Sequence, residues 1–360
     1  MITKPHVTNG RLCYGDRPFR FVGANMYELA YVDSERTQMM LENAASEGFT
    51  VVRFWAFSSM PAEKLNEICR TAERLELKLI PVLADMNEYL QGFRVNDDWF
   101  RSGYTKEYLP HAVSVASNFA DCNEILLLEL FNEPAVDSFD ALYDFTVRSA
   151  ETIKKYDESR LVSIGTIGGI GDRFGGELSR FDHGRFKKLH SVSSLDLVSI
   201  HDYSFSATLL ERADLYFRLN SGKGMSQLFS KLDMIFNSLS DLIDIKLIRS
   251  IGKTFSFPLT VRNLWRLYNE IDYAVARSLG KPVYVGEIGI KKKFGDARKL
   301  ILKSEVKKHF VNGAAGVLLW SFETVNASKD GHDYGFKESD GLGPAVSDVL
   351  KVISKGTAGS

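Results

Sequence analysis

The motif Leu130-Phe131-Asn132-Glu133-Pro134 follows an apolar run at 125–128, as a buried strand would that ends by presenting an amide and a carboxylate. A second carboxylate, Glu287, closes another such run, Pro282-Val283-Tyr284-Val285-Gly286-Glu287. Two acids at the ends of two strands suit a reaction that needs a proton donor on one side of a bond and a nucleophile on the other, which is the chemistry of glycoside hydrolysis. In its retaining form the two carboxyl groups stand roughly 5 to 5.5 Å apart. One attacks the anomeric carbon, and the other, kept protonated by its neighbour's charge, acts as general acid. A pair of salt-bridged structural glutamates is the alternative.

Eight short β-rich runs recur along the chain, at 19–23, 50–55, 78–83, 125–130, 161–165, 197–201, 282–287 and 317–320. Between them lie segments with apolar residues three and four positions apart, among them 34–47, 62–75, 139–156 and 297–312, which predict amphipathic helices. Strand alternating with helix eight times predicts an α/β fold closed as a (β/α)8 TIM barrel, with an open doubly wound sheet as the alternative. Chemistry in such a barrel sits at the carboxyl ends of the strands. Arg53, Asp85, Asn132, Glu133, His201, Tyr203, Glu287 and Trp320 all fall there.

The sixth βα unit, 202–281, is about twice the usual length for this fold. Its section 206–263 carries Leu, Ile and Phe at helical spacing among charges, and reads as a helical insertion between strands 6 and 7. It is expected to be a solvated decoration, a lid or subsite wall, or an oligomer or lipid contact. The expected organisation is one catalytic domain over 1–355 containing that insertion, with 356–360 as a tail.

In a chain of 360 residues, 45 Lys and Arg nearly balance 46 Asp and Glu, so no field of one sign draws nucleic acid or an anionic membrane. A neutral, polar substrate fits that balance. Cys13, Cys69 and Cys122 are an odd, scattered set without metal-ligand spacing, so neither a disulfide framework nor a zinc site is expected, and a reducing compartment is the default. No apolar leader or membrane span is visible, which predicts a cytoplasmic protein, or a secreted one if a leader has been removed.

The ordered motifs Phe21-Val22-Gly23-Ala24-Asn25-Met26-Tyr27, Val51-Val52-Arg53-Phe54-Trp55-Ala56-Phe57, Asn132-Glu133-Pro134, Ile200-His201-Asp202-Tyr203, Val285-Gly286-Glu287-Ile288-Gly289 and Ala315-Gly316-Val317-Leu318-Leu319-Trp320 resemble glycoside hydrolase family 5. That family lies within the clan of (β/α)8 retaining glycosidases, and the nearest branch is the one holding endo-β-mannanases. The resemblance implies Glu133 as acid/base, Glu287 as nucleophile and Asn132 as partner of the sugar 2-hydroxyl. It further implies Arg53 and Tyr203 beside the nucleophile, His201 beside the acid/base, and Trp320 as stacking floor for the sugar. Read without it, Arg53 is equally a structural ion pair, Trp320 equally a core residue, and His201 more readily a core residue than a site residue. Glu129 shares the strand parity of Glu133, which makes it a candidate buried partner for Arg53.

Tyr27, Trp55, Trp99 and Trp265 are candidates for neighbouring subsites, with Tyr27 and Trp55 favoured because they sit at strand ends. The segment Leu83-Ala84-Asp85-Met86-Asn87-Glu88 departs from the resemblance: many cellulase-like members have a His there, and mannanase-like ones an Asn-Trp pair. Asp85 and Asn87 are expected to meet sugar hydroxyls. The segment Asp330-Gly331-His332-Asp333-Tyr334-Gly335-Phe336 resembles a turn of the mannanase-like branch, with cation binding by its acids as the alternative.

The activity so implied is polysaccharide degradation by endo-1,4-β-mannanase double displacement on an oligo- or polysaccharide, with no cofactor. The alternatives are a β-glucanase, an exo-β-mannosidase, a transglycosylase, a glycolipid glycosidase, or a non-catalytic carbohydrate-binding barrel.

Overall fold

The computed structural model describes residues 4–87, 91–169, 173–174, 182–203, 261–292, 295, 297–323 and 333–356. The described chain opens with a small antiparallel sheet of β1 (Pro5–Thr8), β2 (Arg11–Tyr14) and β3 (Arg17–Pro18). The central sheet comprises β4 (Phe21–Met26), β5 (Val51–Trp55), β6 (Lys78–Val82) and β7 (Leu128–Asn132), then β9 (Val162–Gly165), β11 (Val198–Asp202), β12 (Val283–Ile288) and β13 (Gly316–Leu319). Its order is β11-β12-β13-β4-β5-β6-β7-β9, and its pairings are parallel. Backbone bonds from Asp196 N to Val162 O (2.8 Å) and from His201 N to Ile167 O (3.4 Å) bring β9 and β11 together, so the sheet curls into the expected eight-stranded barrel. Two further strands, β8 (Ala135–Val136) and β10 (Arg173–Phe174), pair above it.

The strands are continuous apolar runs because helices cover their outer faces and side chains fill the inside. Val51 to Trp55 are buried throughout, Arg53 included. The helices are α1 (Ser34–Ser46), α2 (Ala62–Arg74), α3 (Tyr104–Asn118), α4 (Phe139–Tyr156), α5 (His183–His190), α6 (Val261–Ser278), α7 (Ala297–Val311) and α8 (Leu342–Gly356). Their starts follow local capping chemistry: the Asp33 carboxylate accepts from Arg36 N before α1, and the Ser138 hydroxyl from Ala141 N before α4.

Two expectations are corrected. The fourth barrel strand begins at Leu128 rather than at 125, because Ile125 makes only an isolated bridge to Leu79; Asn132 is therefore the last residue of the strand itself. The three thiols are not all free. Cys69 on α2 and Cys122 in the turn after α3 are disulfide-bonded, and Cys13 is free and buried. Packing of neighbouring helices sets the Cα atoms of the pair 6.2 Å apart, inside the bridging range, a proximity that their separation of 53 positions conceals.

Of the expected insertion only 261–263 is described, as the first turn of α6; the rest, with 357–360 of the tail, lies outside the described residues. Among the described residues no helix is long and apolar enough to cross a membrane.

Candidate active site

Glu133 follows the last residue of β7 with φ +48°, a left-handed backbone that a non-glycine residue holds only when its surroundings fix it. Its N–H donates to Gly165 O on β9 at 2.9 Å, which supplies that restraint. Glu287 lies on β12, in register with His201 on β11. A carboxylate oxygen of Glu133, one of Glu287 and a ring nitrogen of His201 all lie within 4.8 Å of one another. Two strand ends on opposite sides of the barrel thus meet over one small space. So close an approach is compatible with the retaining arrangement of roughly 5 to 5.5 Å between carboxyl groups and falls short of the roughly 6.5 to 9.5 Å needed to seat an inverting water.

The two acids have different surroundings. Glu287 is almost fully buried, whereas the Glu133 side chain keeps 29% of its exposure. Arg53 Nη1 donates to Glu287 Oε1 at 3.0 Å, and the Tyr203 hydroxyl donates to Oε2 at 2.5 Å. His201 Nδ1 is 2.7 Å from Glu133 Oε1 and 3.6 Å from Glu287 Oε2, between the two carboxyls. Burial pushes the Glu287 carboxyl above its ordinary range; the charges of His201 and Arg53 and the Tyr203 hydroxyl oppose that, and the Glu133 charge adds to it. Two carboxyls so close share a proton rather than both ionising. Donors engage both oxygens of Glu287, which opposes burial and favours its charged form. Burial also raises Tyr203 well above the ordinary phenol range, which keeps its hydroxyl a donor.

Arg53 is the hub of the interior. Burial works against its charge, but Glu129 and Glu287 outweigh burial and raise its pKa. Nε and Nη2 reach Glu129 at 3.2 and 2.5 Å, Nη2 reaches Asn132 Oδ1 at 2.5 Å, and Nη1 reaches Asn25 Oδ1 at 2.7 Å. Glu129 is therefore the buried partner that strand parity suggested. Gly165 makes room for it, since a Cβ there would stand 2.3 Å from Glu129 Oε1. Occupation of the Asn132 amide oxygen by Arg53 leaves its Nδ2 as the donor for a ligand.

Around this centre the aromatic residues divide by depth. Tyr27 and Trp320 are half-buried, and Trp55 is fully buried. Trp55 lies between them, 4.8 Å from Tyr27 and 5.5 Å from Trp320, with the Arg53 guanidinium 4.7 Å from its ring centre. It therefore supports the two half-buried rings rather than offering a face at the mouth. Trp99 belongs to an aromatic core with Phe100, Tyr108 and Phe145, away from the mouth. Trp265 lies on α6. Asp85 is buried, accepts from the Tyr27 hydroxyl at 3.2 Å and the Asn87 N–H at 2.6 Å, and is braced by Gln91. Burial pushes its carboxyl up to about 7, against the Asn87 N–H, the Tyr27 hydroxyl, Arg53 and Trp55. The exposed Asn87 amide donates to the Tyr27 hydroxyl at 3.0 Å, so these three form one hydrogen-bonded edge of the mouth. Glu88 and 330–332 lie outside the described residues, while Tyr334 packs 5.1 Å from Tyr203.

Glu133, His201 and Glu287 have ligand-like spacing for a metal. The Arg53 guanidinium against Glu287 would repel a cation there, and donors already engage both Glu287 oxygens.

No family model matches the chain. A putative mannan endo-1,4-β-mannosidase of Oryza sativa subsp. japonica is 29% identical over 242 residues, 54% of this chain and 59% of that one. A mannan endo-1,4-β-mannosidase of Solanum lycopersicum is 27% identical over 240 residues, 52% of this chain and 57% of that one. The chain thus spans less than two thirds of the length of the curated relatives it matches. The solved endo-1,4-β-mannanase of Rhizomucor miehei has a TM-score of 0.67 at 17% identity, covering 98% of this chain and 100% of that one. The chain resembles the endo-mannanase branch of family 5. The endo-β-1,4-mannanase of Thermotoga petrophila gives the same TM-score at 18% identity, covering 95% of this chain and 78% of that one. At such identities the solved structures speak to the barrel alone.

On this mannanase-like frame, sequence reasoning missed several buried polar residues. Tyr284 donates its hydroxyl to Glu129 and lies 2.6 Å from the Ser163 hydroxyl, while the Asn25 amide donates to Gly286 O at 2.9 Å. Asp202 accepts from Asn269 (3.0 Å) and His309 (2.8 Å), tying the end of β11 to α6 and α7. Strand parity was the available signal, since Asp202, between two inward residues, must face the helices.

Proposed function

We propose that the protein is a retaining glycoside hydrolase that cleaves internal β-1,4 bonds of mannan. Approach of the Glu133 and Glu287 carboxyl oxygens to within 4.8 Å carries this reading. Glu287, ionised and held by Arg53 and Tyr203, attacks the anomeric carbon. The bond to the leaving oxygen breaks as Glu133 delivers its proton to that oxygen, and a glycosyl ester of Glu287 results. Glu133, now a carboxylate, takes a proton from water as the water oxygen displaces Glu287, which restores both groups and retains the β configuration.

The remaining mouth residues have consistent tasks. Asn132 Nδ2 bonds the 2-hydroxyl, a contact that strengthens as oxocarbenium character develops. Trp320 offers a ring to the sugar C–H face, and Tyr27 with Asn87 and Asp85 meets hydroxyls beside it. Arg53 and His201 are fully buried and act on the two acids rather than on the substrate. The mannan preference comes from the relatives, which are named mannan endo-1,4-β-mannosidases. The Cys69–Cys122 bridge favours secretion over the reducing cytoplasm.

The test is digestion of purified β-mannans, β-glucans and manno-oligosaccharides with the anomer of the first product followed by NMR. Internal cleavage of mannan with initial β product is expected. Initial α product, or no reducing ends from any β-glycan over a wide pH range, overturns the reading.

A further inference from the structure

Arg53 divides its donors unequally. Its bidentate fork, the stronger arrangement, goes to Glu129 through Nε and Nη2, while Glu287 receives one bond from Nη1. The larger share of the guanidinium charge thus faces a carboxylate that cannot react, because Glu129 is wholly buried in the barrel interior. The Tyr284 hydroxyl holds Glu129 from its other side, with Ser163 behind that hydroxyl.

In the covalent intermediate proposed above, a lone pair of the Glu287 carboxylate becomes the ester bond and that carboxyl loses its charge. Were Glu287 the sole counter-ion, Arg53 would then be a buried charge without a partner, which is strongly destabilising. With Glu129 also bound, the guanidinium stays neutralised whether Glu287 is free or esterified.

We propose that Glu129 is a positioning residue: it is the permanent counter-ion of Arg53, and by holding most of that charge it keeps Glu287 basic enough to attack and lets its charge be consumed at little penalty. This rests on the reading of Glu287 as nucleophile. The groups facing Glu287 are Arg53 from β5, Glu133 after β7, and His201 and Tyr203 from β11 and the residue after it. Those acting on Arg53 are Glu129, Glu287 and Tyr284, and Arg53 in turn acts on Asp85. Only Glu129 and Glu287 form ion pairs with Arg53 among the described residues.

The decisive experiment is an NMR titration of glutamate side-chain carboxyl carbons in the full chain, with Glu287 assigned by the signal lost in Glu287→Gln. Glu129→Gln keeps the shape and removes the charge, so the whole guanidinium falls to Glu287 and its midpoint drops by about one pH unit. The acidic limb of kcat/KM moves the same way, and kcat falls more than KM changes. Glu129→Asp, which restores the charge, returns the midpoint toward that of the parent protein. Should Glu129→Gln fail to fold, Tyr284→Phe serves instead: it withdraws a donor from Glu129, leaves Glu129 more dependent on Arg53, and moves the Glu287 midpoint up. A midpoint that does not fall in folded Glu129→Gln, or an equal fall in Glu129→Asp, overturns the proposal. In the fallback, a midpoint that stays or falls in Tyr284→Phe does so. The titration needs no turnover, so a protein inactive on every glycan would sink the hydrolase reading while still reporting on Glu129.

Discussion

The Tyr203 hydroxyl donates to Glu287 Oε2 at 2.5 Å, from the residue that follows β11 to the strand beside it. This bond favours the charged carboxylate and opposes the upward push of burial. Removing it in Tyr203→Phe raises the Glu287 midpoint, so the acidic limb of kcat/KM shifts to higher pH. A hydrogen bond to a charged group contributes about 1.5–3 kcal/mol, which corresponds to a loss of roughly 10- to 100-fold. A pH–rate profile that scales down without moving would contradict the role.

Substitution of the two acids separates their tasks. Glu133→Ala is expected to slow mannan cleavage by about 10²- to 10⁴-fold, the usual contribution of general acid–base catalysis. Aryl glycosides with good leaving groups suffer less, and azide accelerates their turnover to a β-glycosyl azide. For Glu287→Ala, azide gives the α product. Product NMR distinguishes the two, and the opposite pattern would exchange the roles.

Asp85 makes stability depend on pH in an unusual direction. Burial raises its carboxyl from an ordinary 3.8 to about 7 in the folded state. Between those values the folded protein holds a proton that the unfolded chain has released, so this contribution to stability falls as pH rises from about 4 to about 7 and is constant above. Each pH unit in the window is worth about 1.4 kcal/mol at most. Asp85→Asn removes the dependence, and its melting temperature should gain on the parent protein as pH rises from about 4 to about 7. Parallel melting curves for the two would show that Asp85 is ionised throughout.

The Cys69–Cys122 bridge spans 53 positions. In the chain-entropy account, closing a loop of that length contributes about 4 kcal/mol, with typical values of about 2–4 kcal/mol. Dithiothreitol should lower the melting temperature of the protein, and Cys69→Ser should melt with the reduced form regardless of reductant. Equal melting with and without reductant would mean the thiols are not joined.

Much of the barrel was legible because a parallel strand buried on both faces leaves a nearly unbroken apolar run, and 51–55 or 283–288 can hardly be anything else. Helix 139–156 was legible to the residue, since its Ser138 cap and its apolar spacing agree. Legibility failed where a contact joins distant segments. Nothing in the spacing of Cys69 and Cys122 announces their meeting, and nothing local tells that Trp55, a strand-end aromatic like Tyr27, sinks beneath its neighbours. The carboxylates themselves were visible as strand-terminal acids. The hydrogen bonds that distinguish them, Tyr203 and Arg53 on one and His201 on the other, come from residues distant in sequence that meet only once the strands are assembled into the barrel.

The small sheet of β1, β2 and β3 has a consequence for turnover. Its Leu12 joins Phe21, Val51, Leu126, Leu161, Leu197 and the Tyr284 ring in a dry layer across the amino-terminal end of the barrel. The fully buried Arg53–Glu129 pair thus hangs between the Tyr284 hydroxyl of that layer and Glu287. In the proposed reaction Glu133 surrenders its proton to the departing sugar and regains one from the entering water, both at the open end, while the apolar floor keeps the Arg53–Glu129 pair out of that traffic.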